Sequence, residues 1–179
     1  MKFLIVILVA LFGIISASTL YAQTETPPTP EILKRVLSLE GKWEGKATMQ
    51  MGGKTYNFQY FMHYRKTADD NGLYMDEHAT IPDVGRLIGG NIIGFDPYEQ
   101  KLHWFSVDNF GTTHDHIGEL IDKDHLRLVH ESQREGKTYR EEIDFVWKSP
   151  KQLHAKLIGT LNGQIEEILE GTLVRKSRK

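Results

Sequence analysis

Residues 91–118, NIIGFDPYEQKLHWFSVDNFGTTHDHIG, decide the fold class of this chain. Short runs in which apolar and polar residues alternate are separated here by turn signals at residues 96–97 and 109–111. Alternation with a period of two is typical of β-strands with one buried face. The stretch therefore predicts strands joined by tight turns, and the last of these strands carries two histidines, His114 and His116.

The same alternation continues through the rest of the chain from residue 42 and is interrupted by turn signals at fairly even spacing. Short antiparallel strands of this kind close best into a barrel, because closure leaves no exposed sheet edge. We therefore predict an all-β fold, an antiparallel up-and-down β-barrel of about ten strands with a short N-terminal helix. The predicted strands cover residues 42–51, 55–65, 73–80, 86–95, 101–108, 112–121, 125–133, 138–148, 153–161 and 165–175.

A short helix is predicted immediately before the first strand. Thr29 is a suitable N-cap, and Pro30 suits the first helical position, where its missing N–H group costs nothing. The helix is expected to end near Leu39 and to plug the barrel with one apolar face. That face consists of Ile32, Leu33, Val36 and Leu37.

Composition limits the possible partners and the means of stabilisation. The chain has 179 residues and a formal net charge of −2, and it shows no basic stripe, so nucleic acid is not expected as a partner. It contains no cysteine, so no disulfide can stabilise it. One β-barrel domain is predicted over residues 30–176, preceded by a polar, proline-rich flexible tether at residues 23–29.

The first 22 residues have the features of a secretory signal peptide. Lys2 provides a positive charge, residues 3–15 are an unbroken apolar run, and residues 16–22 are small and polar enough for cleavage after Ala22. The alternative is an uncleaved membrane anchor, because about 20 apolar residues can span a bilayer. We predict cleavage and a periplasmic or secreted protein with no membrane span after it.

The first hairpin shows which side chains face the barrel interior. If residues 52–53 form a two-residue turn, Trp43 lies opposite Met62 and Met49 lies opposite Tyr56. Paired residues share a face, so the second strand presents alternate residues to the interior. These are Tyr56, Phe58, Tyr60, Met62 and Tyr64.

A row of histidines is predicted on the interior of the later strands. A three-residue loop at 122–124 places His116 opposite His130, and a turn at 135–136 places His130 opposite Glu141. His114 lies two residues from His116 on the same face, and Phe145 shares the face of Glu141. For the last hairpin, a two-residue turn at 162–163 would break the face parity, whereas a three-residue loop at 162–164 restores it and pairs Leu157 with Leu169, so the longer loop is predicted.

Several motifs resemble a known family. The segment LEGKWEG at 39–45, the GGK hairpin at 52–54, GFDPYEQKLHWFSVDNFG at 94–111 and LEGTLVRK at 169–176 resemble DUF1579, a domain of unknown function in lipocalin-like, exported bacterial proteins. The GxWxG part alone is similar to the opening of calycin barrels, which include lipocalins, fatty-acid-binding proteins and nitrobindins. The resemblance implies an antiparallel barrel and brings no established activity.

The resemblance also implies roles for particular residues. In the lipocalin pattern, a tryptophan of the first strand stacks on a basic residue of the last strand and closes one barrel end; Trp43 and Arg175 hold these structural positions. In the nitrobindin pattern, a histidine of the later strands ligates haem, and His130 and His154 are the residues compared with it here, without a firm alignment for either.

Three functions are compatible with these residues. The first is binding of a small hydrophobic or amphipathic molecule without a cofactor. The second is a haem or divalent-metal site, with His114, His116, His130 and Glu141 as candidate metal ligands. The third is a structural or interaction module of the cell envelope. Enzymatic nucleophiles have little support, because cysteine and a GxSxG motif are absent. The predicted ligand-binding residues are Tyr56, Phe58, Tyr60, Met62, Tyr64, His114, His116, His130, Glu141 and Phe145.

Overall fold

The computed structural model describes residues 29–177 and has a closed antiparallel barrel in which each strand pairs with its neighbours in sequence. The first strand, β1, also pairs with the last, β10, and a short helix, α1, precedes β1. The predicted fold class and strand number are therefore confirmed. The elements are α1 (Glu31–Leu37), β1 (Gly41–Met51), β2 (Lys54–Lys66), a 3-10 turn (Ala68–Asp70), β3 (Gly72–Ile81), β4 (Gly85–Asp96), β5 (Lys101–Asp108), β6 (Thr113–Asp122), β7 (His125–Arg134), β8 (Lys137–Ser149), β9 (Gln152–Leu161) and β10 (Gln164–Arg175).

The predicted signal peptide at residues 1–22 and the tether residues 23–28 lie outside the described residues. Within residues 29–177, the structure contains no helix with the length and apolar character needed to cross a membrane.

The register of the first hairpin is confirmed. Trp43 pairs with Met62 and Met49 pairs with Tyr56 across a turn made by Gly52 and Gly53. Both glycines have positive φ angles, 58° and 73°, as a type I′ hairpin turn requires. The turn chemistry and the apolar alternation thus specify the same pairing.

Two later hairpins reach the predicted pairing by a different route. The turn after β6 contains two residues, 123–124, and Ile121 forms a bulge that shifts the register between Leu120 and Asp122. The three-residue loop predicted at 122–124 was wrong, although the interior face is the predicted one. A bulge supplies the same one-residue offset while keeping the tight turn that suits twisted strands.

The last hairpin follows the same principle. The turn consists of Asn162 and Gly163 alone, and Glu166 is the extra residue of a bulge in β10. The three-residue loop predicted at 162–164 was therefore wrong. The predicted pairing of Leu157 with Leu169 is confirmed, because the bulge restores the register.

The helix α1 begins one residue later than predicted. Pro30 is the N-cap, with an extended ψ of 143°, and its carbonyl accepts the first helical hydrogen bond from the Lys34 N–H group. Thr29 is therefore not the cap. A proline carbonyl can start the hydrogen-bond series just as any other residue's can, since proline lacks only the donor. The helix ends at Leu37, two residues before the predicted limit.

The barrel end next to α1 is closed. Leu33, Val36 and Leu39 are buried there, and the Arg175 guanidinium lies 4.7 Å from the centre of the buried Trp43 ring. The Trp43 indole N–H donates to the Leu39 carbonyl at 2.7 Å. The structure thus places Trp43 and Arg175 together at a closed end, where the Trp43 ring is buried against the guanidinium and its N–H group has a hydrogen-bond acceptor.

A second arginine and tryptophan pair lies at the same end. The Arg35 guanidinium is 4.1 Å from the centre of the Trp147 ring and 2.7 Å from the Asp124 carboxylate. Because Arg35 belongs to α1 and the other two residues belong to the barrel, this pair fixes the helix against the strands. Together the two stacks make this end of the barrel a packed floor.

We expect Trp43→Ala to lower the free energy of unfolding by about 3–5 kcal/mol, the usual cost of truncating a large buried aromatic side chain. Trp43→Phe keeps most of the buried ring and should lose less than half as much. Urea unfolding followed by circular dichroism measures both values. Equal stability of Trp43→Ala and the wild type would contradict a supporting role for this ring.

Candidate functional site

The barrel interior contains a cavity of about 900 Å³. It extends to the hairpin ends opposite α1, where Gly52, Phe110 and Gln164 contribute to its rim. The barrel is therefore packed at one end and open at the other. Most of the wall is apolar and is formed by Ala47, Met49, Met62, Met75, Ile81, Val84, Leu87, Ile143, Phe145, Leu157, Leu169 and Leu173.

One part of the wall is polar and is centred on the buried Glu141 carboxylate of β8. Its Oε1 atom lies 2.7 Å from His116 Nε2 and 3.5 Å from His114 Nδ1. Its Oε2 atom accepts a hydrogen bond of 2.7 Å from the Tyr139 hydroxyl. Both histidines are on the interior face of β6, so three side chains from two strands converge on one carboxylate.

The hydrogen-bond partners assign the proton positions on His114. The Arg134 guanidinium, which can only donate, lies 3.1 Å from His114 Nε2. Nε2 must then be the acceptor, which leaves the proton on Nδ1, the nitrogen that faces Glu141. Arg134 also packs flat against the Tyr139 ring, with its guanidinium carbon 3.3 Å from the ring centre.

His116 is held between two acceptors. Its Nε2 faces the Glu141 carboxylate at 2.7 Å, and its Nδ1 lies 3.3 Å from the Trp104 carbonyl oxygen. Both ring nitrogens of His116 therefore face hydrogen-bond acceptors.

Glu141 is the ionised acid of this group. Burial alone would raise its pKa, but hydrogen bonds from His114 and His116, the charge of His116 and the hydrogen bond from Tyr139 together lower the pKa well below its ordinary value. Burial raises the pKa of Tyr139, and the nearby carboxylates of Glu141 and Glu167 raise it further. Tyr139 therefore stays a neutral donor.

A second polar group lies on another part of the wall. The Glu77 carboxylate accepts hydrogen bonds from the Tyr60 hydroxyl and, at 3.2 Å, from the Asn91 amide, whose oxygen accepts a 2.9 Å hydrogen bond from Trp104 Nε1. Burial raises the pKa of Glu77 despite these hydrogen bonds. A Cβ atom at Gly89, the partner of Glu77 in the sheet, would lie 2.5 Å from the carboxylate, so only glycine leaves this space.

Glu167 of β10 is a third interior acid. Its Oε1 atom is 3.0 Å from the Tyr139 hydroxyl oxygen, which donates its proton to Glu141. Burial raises the pKa of Glu167, and the hydrogen bond with the Tyr139 hydroxyl acts in the opposite direction. Glu167 is thereby linked to Glu141 through one hydroxyl group.

Six of the ten predicted ligand-binding residues line the cavity: Tyr60, Met62, His114, His116, Glu141 and Phe145. The other four are not among the residues that line it. Phe58 and Tyr64 are buried in the core, and Tyr56 is half-buried against it. A ligand-binding role for these ten residues stays a prediction.

His130, the last of the four predicted ligand-binding residues that do not line the cavity, pairs with Glu141 in the sheet as predicted, but its ring makes other contacts. Its ring stacks on His114 with 4.3 Å between ring centres, and its Nδ1 donates to the Asp115 carbonyl at 3.0 Å. Burial is the main cause of its lowered pKa. His130 therefore supports the His114 ring, while His154 lies on the outer face beside Thr172 and cannot ligate a group in the cavity.

Several cavity residues were missed by the sequence analysis. Glu77 could have been found, because it interrupts the interior series of Leu73, Met75, Ala79 and Ile81 in β3. The position of Glu167 depends on the bulge at Glu166, which has no recognisable signal in the sequence. The residues missed as parts of the site are Glu77, Asn91, Trp104, Arg134, Tyr139 and Glu167.

Comparison with known proteins supports the fold alone. No protein-family model and no curated protein matches the chain. An S-type phycobiliprotein lyase from Guillardia theta is similar in structure, with a TM-score of 0.54 and 12% identity over 83% of this chain and 93% of the other. The protein Rv2717c from M. tuberculosis gives a TM-score of 0.59 and 14% identity over 83% of this chain and 98% of the other. The chain thus has a lipocalin-like barrel fold.

The raised pKa of Glu77 predicts a pH-dependent effect of Glu77→Gln. A group with a raised pKa in the folded state contributes stability at low pH that is lost as pH rises through the folded pKa. Glutamine mimics the protonated acid, so this loss should be absent in the variant. We expect equal unfolding free energies at about pH 4 and a more stable variant at about pH 8.

Urea unfolding at the two pH values measures this difference, and Asp76→Asn, on the outer face of the same strand, is the matched control. A variant less stable than the wild type at the higher pH would show that Glu77 is stabilising as a carboxylate.

Proposed function

We propose that this protein binds a small, partly apolar molecule inside the barrel. The observation that carries the proposal is the 900 Å³ cavity, which opens at one end and has an apolar wall with a few convergent polar groups. Cavities of about 300–1,000 Å³ with this division of surface are typical binding sites for small organic molecules.

The positions of the polar groups indicate how such a molecule would be oriented. His114, Tyr139 and Glu141 lie within a few residues of the open end of β6 and β8, and Arg134 lies at the end of β7. The wall towards α1 contains Met62, Met75 and Phe145 instead. The apolar part of the ligand would contact this inner wall, and its polar group would bond to the side chains near the opening.

The similarity to lipocalin-like barrels supports this proposal at the level of fold only. The motifs that resemble DUF1579 add the expectation of an exported bacterial barrel. We therefore place binding in the periplasm or outside the cell, after removal of residues 1–22.

Filling the cavity should abolish binding of an apolar probe. Ala155 lines the cavity opposite Phe145 and Gly171, so Ala155→Phe places a ring in the space without removing a polar group. We expect the neutral dye N-phenyl-1-naphthylamine to bind the wild type with increased fluorescence. Ala155→Phe should weaken binding at least about tenfold, or about 1.4 kcal/mol.

The matched control is His154→Phe, the same aromatic substitution at the adjacent outward-facing position. It should leave dye binding unchanged. Dye binding that is absent in the folded wild type, or equal in Ala155→Phe and His154→Phe, would contradict binding in the barrel.

Cleavage of the signal peptide has its own test. Expression of residues 1–179, including the predicted signal peptide, in a bacterial host should yield a protein that begins at Gln23, because cleavage is predicted after Ala22. N-terminal sequencing or intact-mass spectrometry of the periplasmic fraction measures this. Recovery of the intact chain in the membrane fraction would support the uncleaved anchor instead.

A further inference from the structure

Three side chains with metal-binding atoms converge at the polar wall of the cavity. One nitrogen of His114, one nitrogen of His116 and one oxygen of Glu141 all lie within 4.8 Å of one another. All three residues are buried, and they line the cavity. Their positions are set by barrel strands rather than by loops, because β6 carries both histidines and β8 carries the glutamate.

The partners of these side chains are those that metal ligands commonly have. His116 Nδ1, the nitrogen remote from Glu141, faces the Trp104 carbonyl, and Glu141 Oε2 accepts from Tyr139. In metal sites, a ligating histidine typically donates its second N–H group to a carbonyl or carboxylate, and a ligating carboxylate is itself hydrogen-bonded. These contacts hold the remaining donor atoms, His116 Nε2 and Glu141 Oε1, towards the same point.

We propose that His114, His116 and Glu141 form a binding site for a divalent transition-metal ion of the zinc type. Two imidazoles and one carboxylate are a common ligand set for zinc with one open coordination position. That position would face the cavity, since all three residues line it. The metal site goes beyond the proposed binding of an organic molecule, because it requires no such ligand. His130, which was predicted as a fourth metal ligand, is not part of the group.

Only small movements are needed to accommodate the ion. Bond lengths of about 2.0–2.1 Å in a tetrahedral site separate neighbouring ligand atoms by about 3.3 Å. The observed separations from Glu141 Oε1 are 2.7 Å to His116 Nε2 and 3.5 Å to His114 Nδ1. The ligand atoms of all three residues lie within 4.8 Å of one another, so the two histidine nitrogens need to approach each other by at most about 1.5 Å. Side-chain adjustments of this size convert the hydrogen-bonded group into a coordinated one, with the ion in place of the bridging protons.

Arg134 opposes the ion. Its guanidinium donates to His114 Nε2, whereas a metal bound at His114 Nδ1 would leave the proton on Nε2. Its positive charge is also close to the site. Arg134→Gln removes the charge and the guanidinium donor that faces Nε2, so this substitution should strengthen metal binding.

The test uses the folded protein treated with EDTA and then titrated with Zn²⁺ in competition with a chromogenic chelator. We expect one ion per chain. His116→Ala and Glu141→Gln should weaken binding at least tenfold, and Arg134→Gln should tighten it by about threefold or more. His154→Ala, on the outer face beside Glu170, is the control and should bind like the wild type.

Circular dichroism and thermal unfolding of the metal-free variants establish which of them fold. If the substitutions at His116 or Glu141 prevent folding, Arg134→Gln decides the matter, because Arg134 is an exposed residue at the rim. Absorption bands of tetrahedral Co²⁺ in the wild type provide a second readout of the same site.

Three results would overturn the proposal: no stoichiometric Zn²⁺ binding by the folded wild type, unchanged affinity in folded His116→Ala, or no gain in Arg134→Gln. Binding lost in His154→Ala would assign the ion to the outer surface and would also overturn it. Dye binding is measured separately, so failure of the metal site leaves the result for the organic ligand unaffected.

Discussion

Closure of the barrel by pairing β1 with β10 is the constraint on which the rest of the structure depends. The ladder runs from Trp43 opposite Arg175 to Met51 opposite Glu167. Since successive residues of a strand face opposite sides, a slip of one residue here would exchange the inner and outer faces of β10. Leu169 and Leu173 would leave the interior, and Glu167 would leave the cavity. The packed floor and the polar wall therefore depend on one register.

The two bulges reconcile this register with the local preference for two-residue turns. Asn162 and Gly163 form a tight turn, which pairs Gln164 with Leu161 and directs Ile165 outward. The extra residue Glu166 then shifts the pairing so that Glu167 faces inward beside Gly159. The bulge in β6 acts in the same way near Asp122. The two-residue turns and the inward-facing pattern of side chains are thus both kept, and each of the two bulged strands has one residue left unpaired.

The parts of the structure that follow from residue alternation could be predicted from the sequence. The ends of all ten strands lie within one residue of the prediction, and the pairing of His130 with Glu141 is as predicted. Alternation reports which face a residue occupies, but it does not report how far a long side chain reaches. The contact of Arg134 with His114 and the link between Tyr139 and Glu167 depend on how far these side chains extend from their strands. They could not be derived from face parity.

The interior carboxylates show how one cavity can contain three acids. Glu77 and Glu167 face glycines and have pKa values raised by burial, whereas hydrogen bonds from two histidines and a tyrosine lower the pKa of Glu141. These environments move the pKa values of neighbouring acids in opposite directions, and Glu141 is the acid whose carboxylate form is favoured. That acid is also the one that two imidazoles face. Glu141 lies next to the apolar wall proposed to hold an organic ligand, so both proposed ligands would occupy one continuous space.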